Sequence, residues 1–290
     1  MKRQKPRMKI LMSSFTDINK IKTMLQHLYI FFFLTALLSC DNLSPQQKKQ
    51  IKKTGKEIAK QVTATVEHLD MQHDYIGYEA KPGSGIIKMY WKDDAGNIFG
   101  SLGNLKNYTA QKGTELLYAC NGGMYMQNQA PLGYYIEDGK TLQKINTKTG
   151  SGNFYLKPKG VFYVDDKNIA GVQSIETAAD RSSLQTKKIK YLTQSGPMLI
   201  HNNKINMLFT QGSSNINVRN GVGILPNGNA YFAMSTYPVS FYNFAKHFKD
   251  KGCSQALYFD GFVSRSFCPQ QNYVQLDGNF GVMVAVVKSN

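Results

Sequence analysis

The sequence predicts an α+β fold, built as a single domain of mixed or antiparallel strands with few helices. From residue 75 onward, short apolar stretches alternate with clusters of glycine, proline, asparagine and aspartate, which is typical of strands joined by tight turns. Residues 241–248 carry the one convincing helical spacing of apolar side chains in that region. Because no repeat and no domain-scale linker follows residue 75, we expect one domain over residues 75–290.

The individual elements follow from the same pattern. The run Pro-Asn-Gly-Asn at 226–229 predicts a β-hairpin, and residues 154–164 have the composition of a second hairpin. Residues 174–184 fit either a strand or a helix, and residues 102–105 begin a short helical or irregular link. The remaining apolar runs predict strands at 86–91, 98–99, 115–120, 131–136, 188–191, 219–223, 256–260 and 281–287.

The composition is globular and the charge is basic. Of 290 residues, 42% are hydrophobic and the formal net charge is +16, which raises the question of a nucleic-acid partner. However, residues 1–39 hold seven Lys/Arg against one acid, and most other lysines are scattered, apart from a cluster at 48–60. No recognition helix, RNA-binding motif or zinc spacing is present. We therefore expect no nucleic-acid partner, and a basic surface near an anionic membrane explains the charge.

The N-terminal region has the layout of a secretory signal. A basic stretch precedes an apolar run at 28–38, which is too short to span a membrane comfortably. The run ends in Leu-Leu-Ser-Cys at 37–40, which resembles a bacterial lipobox. We expect residues 1–39 to be a lipoprotein signal peptide and Cys40 to carry the lipid, which would place the protein on the bacterial cell envelope, facing the periplasm or the exterior. A signal peptide cleaved elsewhere, with Cys40 incidental, is the alternative.

Residues 40–74 are polar and lysine-rich, with apolar residues at roughly helical spacing. We interpret this segment as a partly helical tether that holds the domain away from the membrane. A helix lying on the membrane surface is the alternative.

Cysteine and histidine are used sparsely. Cys120 lies in an apolar strand pattern and is expected to be a small core residue. Cys253 and Cys268 flank the strand at 256–260; they could form a disulfide in an oxidising compartment, although neither spacing nor motif demands it. No Cys/His cluster has metal-site spacing, so no metal and no cofactor are expected.

Two glycine-rich loops invite a phosphate-binding interpretation. Gly122-Gly123 follows a buried strand, where glycines let the main chain approach a ligand closely, and residues 150–153 form a second such loop. Neither matches a P-loop or a dinucleotide fingerprint. Ser195-Gly196 is not a nucleophile elbow, because Thr193 stands where that motif needs glycine.

What remains is a set of polar residues at strand ends: Asn121, Asn153, Ser195, Arg219 and Asp260. The arginine fork suits a phosphate or carboxylate, an aspartate can act as general acid or base, and amides suit sugar hydroxyls. Each residue also has a simpler interpretation. The asparagines could cap turns, the arginine could be a surface charge, and the Asp-Gly pair could be a plain turn.

In order and spacing, the blocks that carry these residues resemble the phosphodiester glycosidase family. The blocks are Asn-Gly-Gly-Met-Tyr at 121–125 with Pro-Leu-Gly at 131–133, Gly-Asn-Phe at 152–154, Gln-Ser-Gly-Pro-Met-Leu at 194–199, Arg-Asn-Gly-Val-Gly at 219–223, residues 238–248, and Ala-Leu-Tyr-Phe-Asp-Gly at 256–261. The resemblance implies an α+β domain that cleaves a sugar from a sugar–phosphate diester. Where family members carry several glycines and a serine after the aspartate, this chain matches only Gly261 and Ser264 and carries Phe262 and Arg265.

Carried over residue by residue, the resemblance puts Asn121, Asn153, Ser195, Arg219 and Asp260 on the family's polar motif positions. From their charges, we expect Asp260 and Arg219 to be the catalytic pair. Asp260 would activate water at the anomeric carbon or stabilise an oxocarbenium-like state, and Arg219 would bind the phosphate. The expected substrate-binding residues are Asn121, Gly122, Asn153, Ser195, Gly196, Gly261 and Ser264. The expected partner is a carbohydrate or sugar-phosphate substrate. The alternative is a non-catalytic envelope lipoprotein that binds a glycan or a phosphate-bearing polymer.

Overall fold

The computed structural model of the chain describes residues 44–46, 49–50, 53–58, 75–261 and 263–288. The chain divides into two compact units, Met1–His68 and Leu69–Asn290. In the first unit, the described residues between 45 and 58 are helical. The expected signal peptide and Cys40 lie outside the described residues. Within the part of the chain that the structure describes, no helix is both long and apolar enough to cross a bilayer.

Short strands dominate the second unit, as the turn-rich sequence predicts. In chain order they are β1 (Tyr75–Ala80), β2 (Ile86–Tyr90), β3 (Leu116–Asn121), β4 (Tyr135–Glu137), β5 (Lys140–Gln143), β6 (Gly160–Asp165), β7 (Ala170–Ser174), β8 (Ile189–Ser195), β9 (Met198–His201), β10 (Lys204–Ile205), β11 (Ile216–Asn217), β12 (Asn220–Ile224), β13 (Ala230–Ser235), β14 (Val239–Ser240), β15 (Gln255–Asp260), β16 (Ser266–Cys268), β17 (Tyr273–Val274) and β18 (Met283–Val287).

The strands form three main sheets. Sheet A has the order β1-β13-β12-β15-β9-β10, sheet B the order β17-β16-β3-β18-β2, and sheet C the order β5-β4-β8-β6-β7; β11 and β14 form a small separate pair. The strand pairs among the described residues are antiparallel. Together with the helices, this confirms the predicted α+β class, with antiparallel rather than mixed sheets.

Three helices of this unit begin at side chains that cap their N-termini. They are α1 (Leu102–Gln111), α2 (Ala178–Gln185) and α3 (Phe241–Asp250). Ser101 and Ser240 cap α1 and α3, and Thr177 forms a capping box with Asp180 at α2. The capping box explains why the ambiguous segment near residue 180 is a helix. The predicted helix at 241–248 is confirmed as α3.

The inner faces of the three sheets share one aromatic core. Phe232 of β13 stacks on Tyr118 of β3 with ring centroids 5.2 Å apart, and it meets Phe162 of β6 edge-on at 5.6 Å. These rings are fully buried. Because side chains alternate along a strand, the neighbouring residue Tyr231 points to the opposite face of sheet A.

Each outer face packs against one helix. Phe244 and Phe248 of α3 pack on sheet A, and Leu102 and Leu105 of α1 pack on sheet B. Leu184 of α2 packs on sheet C. The sheets are therefore apolar on both faces, which accounts for their nearly continuous apolar runs.

Some predicted elements are wrong in detail. The predicted strand at 154–156 is a 3-10 turn, Asn153–Tyr155, because Phe154 turns into the core after Gly152 adopts a φ of 89°. Its supposed partner, β6, pairs instead with β7 and β8. The run at 131–136 forms a strand only from Tyr135, and the predicted strand at 98–99 is reduced to a single bridge between Lys92 and Ile98.

The cysteines among the described residues are free and buried. Cys120 lies in the central core, as predicted. Cys253 packs on the outer face of sheet A, whereas Cys268 belongs to the central core. The disulfide between Cys253 and Cys268, which the sequence permits but does not require, is therefore absent among the described residues.

Phe232→Ala tests the shared core. Removing this ring opens a cavity where three sheets meet, so we expect the free energy of unfolding to fall by about 3–5 kcal/mol. Leu142→Ala is the control, because Leu142 is 47% exposed; its effect should stay within about 0.5 kcal/mol. Urea unfolding measures both. A loss at Phe232 no larger than the loss at Leu142 would show that the sheets do not depend on this contact.

Candidate active site

Two of the polar strand-end residues lie together where sheets A and B meet. Asn121 is the last residue of β3, and Asp260 is the last residue of β15. Asn220, the first residue of β12, lies directly opposite Asp260 in sheet A. Its side chain also reaches Asn121 in sheet B. The structure thus brings Asn121 and Asp260 to one place through a residue that sequence reasoning did not select.

The strand carrying Asp260 is irregular at this point. Asn220 pairs with Asp260, but Gly221 pairs with Tyr258, so Phe259 is an extra residue in β15. Such a β-bulge bends the strand and changes the direction of the side chains around it. Bulges are frequent beside active sites for this reason.

The Asp260 carboxyl is largely buried and carries an altered proton affinity. Burial raises its pKa to about 6, and a hydrogen bond from the Gly261 N–H, with an N–O distance of 2.6 Å, lowers it in part. None of the ion pairs among the described residues involves Asp260. A carboxyl that titrates near pH 6 can hold or accept a proton close to neutrality.

Arg219 is a buried cation, so its interpretation as a surface charge is wrong. Its side chain is 0% exposed, and Nε donates to the Val239 carbonyl at 2.8 Å. One terminal nitrogen donates to the carbonyl and side-chain oxygens of Asn215, at 2.9 and 3.2 Å. The guanidinium lies 3.6 Å from the ring centre of Phe241. The other terminal nitrogen, Nη1, has no hydrogen-bond partner among the described residues.

This buried charge is not neutralised by a carboxylate of the described chain. Burial lowers the pKa of Arg219, and the nearby Tyr258 opposes that effect. A phosphate would meet a preformed positive potential here, although the guanidinium itself is covered in this structure.

Tyr258 connects the remaining residues. Burial, followed by the charge of Asp260, raises the pKa of its phenol, whereas Arg219 and Asn153 lower that pKa. Sequence reasoning missed Tyr258, although its position two residues before Asp260 was a usable indication, because alternate residues of a strand share a face. Asn153, Arg219 and Asp260 therefore all influence this one phenol.

The two predicted serines contact main chain on either side of Asp260. Ser195 is 0% exposed, and its hydroxyl donates to the Phe259 carbonyl at 2.8 Å. The Ser264 hydroxyl donates to the Asp260 carbonyl at 2.7 Å. Both hydroxyls thus hold the backbone that presents Asp260.

The predicted glycines make room for protein atoms. A methyl group at Gly123 would overlap the Thr193 hydroxyl, and one at Gly122 would lie 3.0 Å from a methyl of Val282. At Gly196 it would lie 3.0 Å from the Phe154 carbonyl oxygen. The close approach that the sequence suggested is therefore an approach of strands to one another, and it needs no ligand.

The departure from the family pattern lies just after Gly261. Phe262 is outside the described residues. Arg265 forms an ion pair with Asp277, with Nε 2.9 Å from both carboxylate oxygens, so its charge is compensated. Within the described residues no group of His, Cys, Asp and Glu could hold a metal ion.

Asp260→Asn tests the pKa of the carboxyl through stability. The folded-state pKa of about 6 exceeds the ordinary value of 3.8, so the fold favours the protonated form. Stability from this group is complete below about pH 4 and is lost as the pH rises through about 6. The asparagine removes that loss, so the variant should be more stable than the unmodified chain at about pH 7.5 and lose this advantage at about pH 4. Urea titrations at both pH values measure the free energy of unfolding of the variant and of the unmodified chain. If the two proteins differ by the same amount at both pH values, the raised pKa is contradicted.

Gly261→Ala tests the packing beside Asp260. The added methyl would overlap the Tyr258 hydroxyl and lie 3.0 Å from the Val218 carbonyl oxygen. We expect a loss of about 1–3 kcal/mol in unfolding free energy. Adding Tyr258→Phe removes the hydroxyl and should recover part of the loss in a double-mutant cycle. Purely additive effects would show that the two groups do not collide.

Comparisons with known proteins cover most of the domain. The family model for phosphodiester glycosidases matches residues 114–286. The uncharacterized protein YigE of Escherichia coli K12 is 37% identical over 193 residues, which is 66% of this chain and 72% of YigE.

Two solved structures are similar at low sequence identity. The first is the catalytic domain of zebrafish N-acetylglucosamine-1-phosphodiester alpha-N-acetylglucosaminidase, auto-inhibited by its pro-peptide, with a TM-score of 0.46 and 16% identity, covering 73% of this chain and 88% of that one. The second is a hypothetical protein from Synechocystis, with a TM-score of 0.46 and 13% identity, covering 74% and 59%. By the extent of the family match and the identity to YigE, this chain belongs to the phosphodiester glycosidase family.

Proposed function

We propose that the protein is an envelope-anchored glycosidase that hydrolyses a sugar-1-phosphodiester or a related glycan linkage. Family membership supports the glycosidase class. One observation supports the diester in particular: a carboxyl whose pKa burial raises to about 6 and a buried guanidinium that no described carboxylate neutralises both act on the phenol of Tyr258. An acid or base beside positive potential suits the cleavage of a sugar from an anionic leaving group.

In the proposed step, the ionised Asp260 takes a proton from a water molecule as the water oxygen bonds to the anomeric carbon. The bond between that carbon and the phosphate oxygen breaks, and its electron pair leaves with the phosphate as a monoester anion. Because such an anion is a good leaving group, little acid assistance is needed. The charge of Arg219 stabilises the departing phosphate through a low-dielectric interior.

The same proposal gives the remaining polar residues positioning roles. Asn121 has a side-chain nitrogen without a partner among the described residues, which suits a sugar oxygen. Asn153 would orient sugar and phosphate through Tyr258. Ser195 and Ser264, with the glycines Gly122, Gly196 and Gly261, would hold the backbone around the bound substrate.

We further propose that the protein is attached to the membrane by a lipid on Cys40. The lysine-rich segment at 40–74 would act as the tether, with the domain facing the periplasm or the exterior. The lipobox-like sequence at 37–40 supports this proposal. The expected partners are the carbohydrate or sugar-phosphate substrate and the membrane, without nucleic acid.

The second candidate is a non-catalytic lipoprotein that binds a glycan or phosphate-bearing polymer. The departure from the family pattern after Gly261 favours it, because Phe262 and Val263 stand where glycines are expected and Arg265, which pairs with Asp277, follows Ser264. It is also favoured by the surroundings of Asp260, where no second carboxyl contributes to its pKa. This candidate predicts binding without turnover, unchanged by Asp260→Asn.

A hydrolysis assay of the full chain separates the two candidates. We expect release of sugar from a sugar-1-phosphodiester to exceed release from a plain glycoside. Asp260→Asn should lower kcat/KM by at least about 100-fold through loss of the base. Arg219→Lys, which keeps the charge but loses the planar fork, should lower it by about 10-fold or more.

The matched control is Arg181→Lys, since the Arg181 guanidinium also donates to main-chain carbonyls, those of Ile175 and Glu176. Arg181 lies in α2, the helix that packs on sheet C. It should keep the unmodified rate. Wild-type rates in both the Asp260 and Arg219 variants would refute the assignment of the catalytic pair.

A further inference from the structure

We propose that Asn220 is a positioning residue whose buried carboxamide fixes the direction in which Asp260 leaves strand β15. The inference rests on the proposed function in that Asp260 does the chemistry. Asn220 itself is 0% exposed and has no direct access to a substrate. Its effect therefore passes through the residues that it holds, which are Asp260 and Asn121.

A β-bulge lies in β15 directly before Asp260. The extra residue Phe259 interrupts the ladder, and main-chain groups at a bulge lose their regular partners. In this structure, side chains supply those partners. The Asp260 N–H donates to Oδ1 of Asn220 at 3.0 Å, and the Phe259 carbonyl accepts from Ser195 at 2.8 Å. The irregular backbone is thus held by two buried side chains.

The nitrogen end of the Asn220 carboxamide binds Asn121. Nδ2 of Asn220 donates to the Asn121 carbonyl at 2.8 Å and to Asn121 Oδ1 at 3.0 Å. The same Oδ1 accepts from the Arg265 N–H at 3.0 Å. The turn that begins at Asp260 and returns at Arg265 is therefore anchored at both ends on the Asn220–Asn121 pair.

The chemistry of the side chain explains why an amide is needed. An amide offers an acceptor and a donor from one rigid plane, whereas an ionised aspartate could only accept. Leaving the Asp260 N–H and the Asn121 oxygens unpaired in the interior would be costly. Without the anchor we expect the turn to relax and the Asp260 carboxyl to become more hydrated.

The groups around Asp260 do not titrate in the same range. Tyr258 and Tyr125 sense the charge of Asp260, and burial raises the pKa of both phenols. Cys120, which contacts Asn220, has its pKa raised to about 12 by burial. Arg219 stays cationic at any ordinary pH. None of these neighbours therefore interferes between about pH 4 and pH 7, and Glu137, whose pKa burial raises to about 7, carries no label in an aspartate-specific experiment.

The experiment compares Asn220→Ala with Asn206→Ala in the full chain in detergent. Asn206 is a matched control: it is 8% exposed, donates to the carbonyls of Lys157 and Met198 at 3.0 and 2.9 Å, and accepts from the Leu208 N–H at 3.0 Å. Carbon-13 NMR of the side-chain carboxyl carbon in labelled aspartate follows the titration of Asp260 without any substrate.

In Asn220→Ala we expect the pKa of Asp260 to fall from about 6 toward its ordinary value of 3.8, because hydration removes the cause of the shift. The acidic limb of the kcat profile should move in the same direction. In Asn206→Ala both should stay at their unmodified positions, even where stability falls equally. An unchanged Asp260 titration in Asn220→Ala overturns the proposal.

A second variant and a measurement on the unmodified chain cover the case in which Asn220→Ala does not fold. Asn220→Ser keeps a short polar group and should give a smaller fall in the same direction. In the unmodified chain, the Asp260 N–H should exchange with solvent at least about tenfold more slowly than an exposed amide, and free exchange overturns the proposal. A shifted titration without hydrolysis of any sugar diester would keep the positioning role and reject the proposed function.

Discussion

One buried amide, the side chain of Asn220, is the contact on which the candidate site depends. It joins the end of β15 in sheet A to the end of β3 in sheet B, and both ends of the turn after Asp260 are attached to it. The hydroxyl of Ser195 adds sheet C to the same place. All three sheets of the domain therefore contribute to the position of a single carboxyl.

The site lowers the stability of the fold, and apolar packing elsewhere in the domain compensates for that loss. Apolar packing on both faces of the sheets supplies the stability. Some of it offsets the cost of burying an aspartate and an arginine that do not pair with each other among the described ion pairs. Their burial gives the carboxyl its raised pKa and leaves the cation uncompensated. Both properties are unfavourable for folding, and both would serve the proposed cleavage of an anionic substrate.

The sequence was sufficient for local structure and insufficient for contacts between distant segments. The fold class, the hairpin turn at 226–229 and helix α3 follow from turn residues and apolar spacing, which act over a few residues. Asn220 was missed because its partners Asn121 and Asp260 lie 99 and 40 residues away in the chain. No local pattern encodes the bulge that brings them together. The strand predicted at 154–156 failed for a similar reason, because burial of Phe154 overrides the extended pattern.

The order of strands in sheet B has a consequence for biosynthesis. Strand β18, at Met283–Val287, lies between β3 and β2, so β3 lacks one neighbour until the chain has been delivered through residue 287. Asn121 at the end of β3 pairs with Met283 in that strand. The site should therefore be completed late, after nearly the whole domain has been synthesised. Such timing would keep the carboxyl unassembled until synthesis of the domain is almost finished.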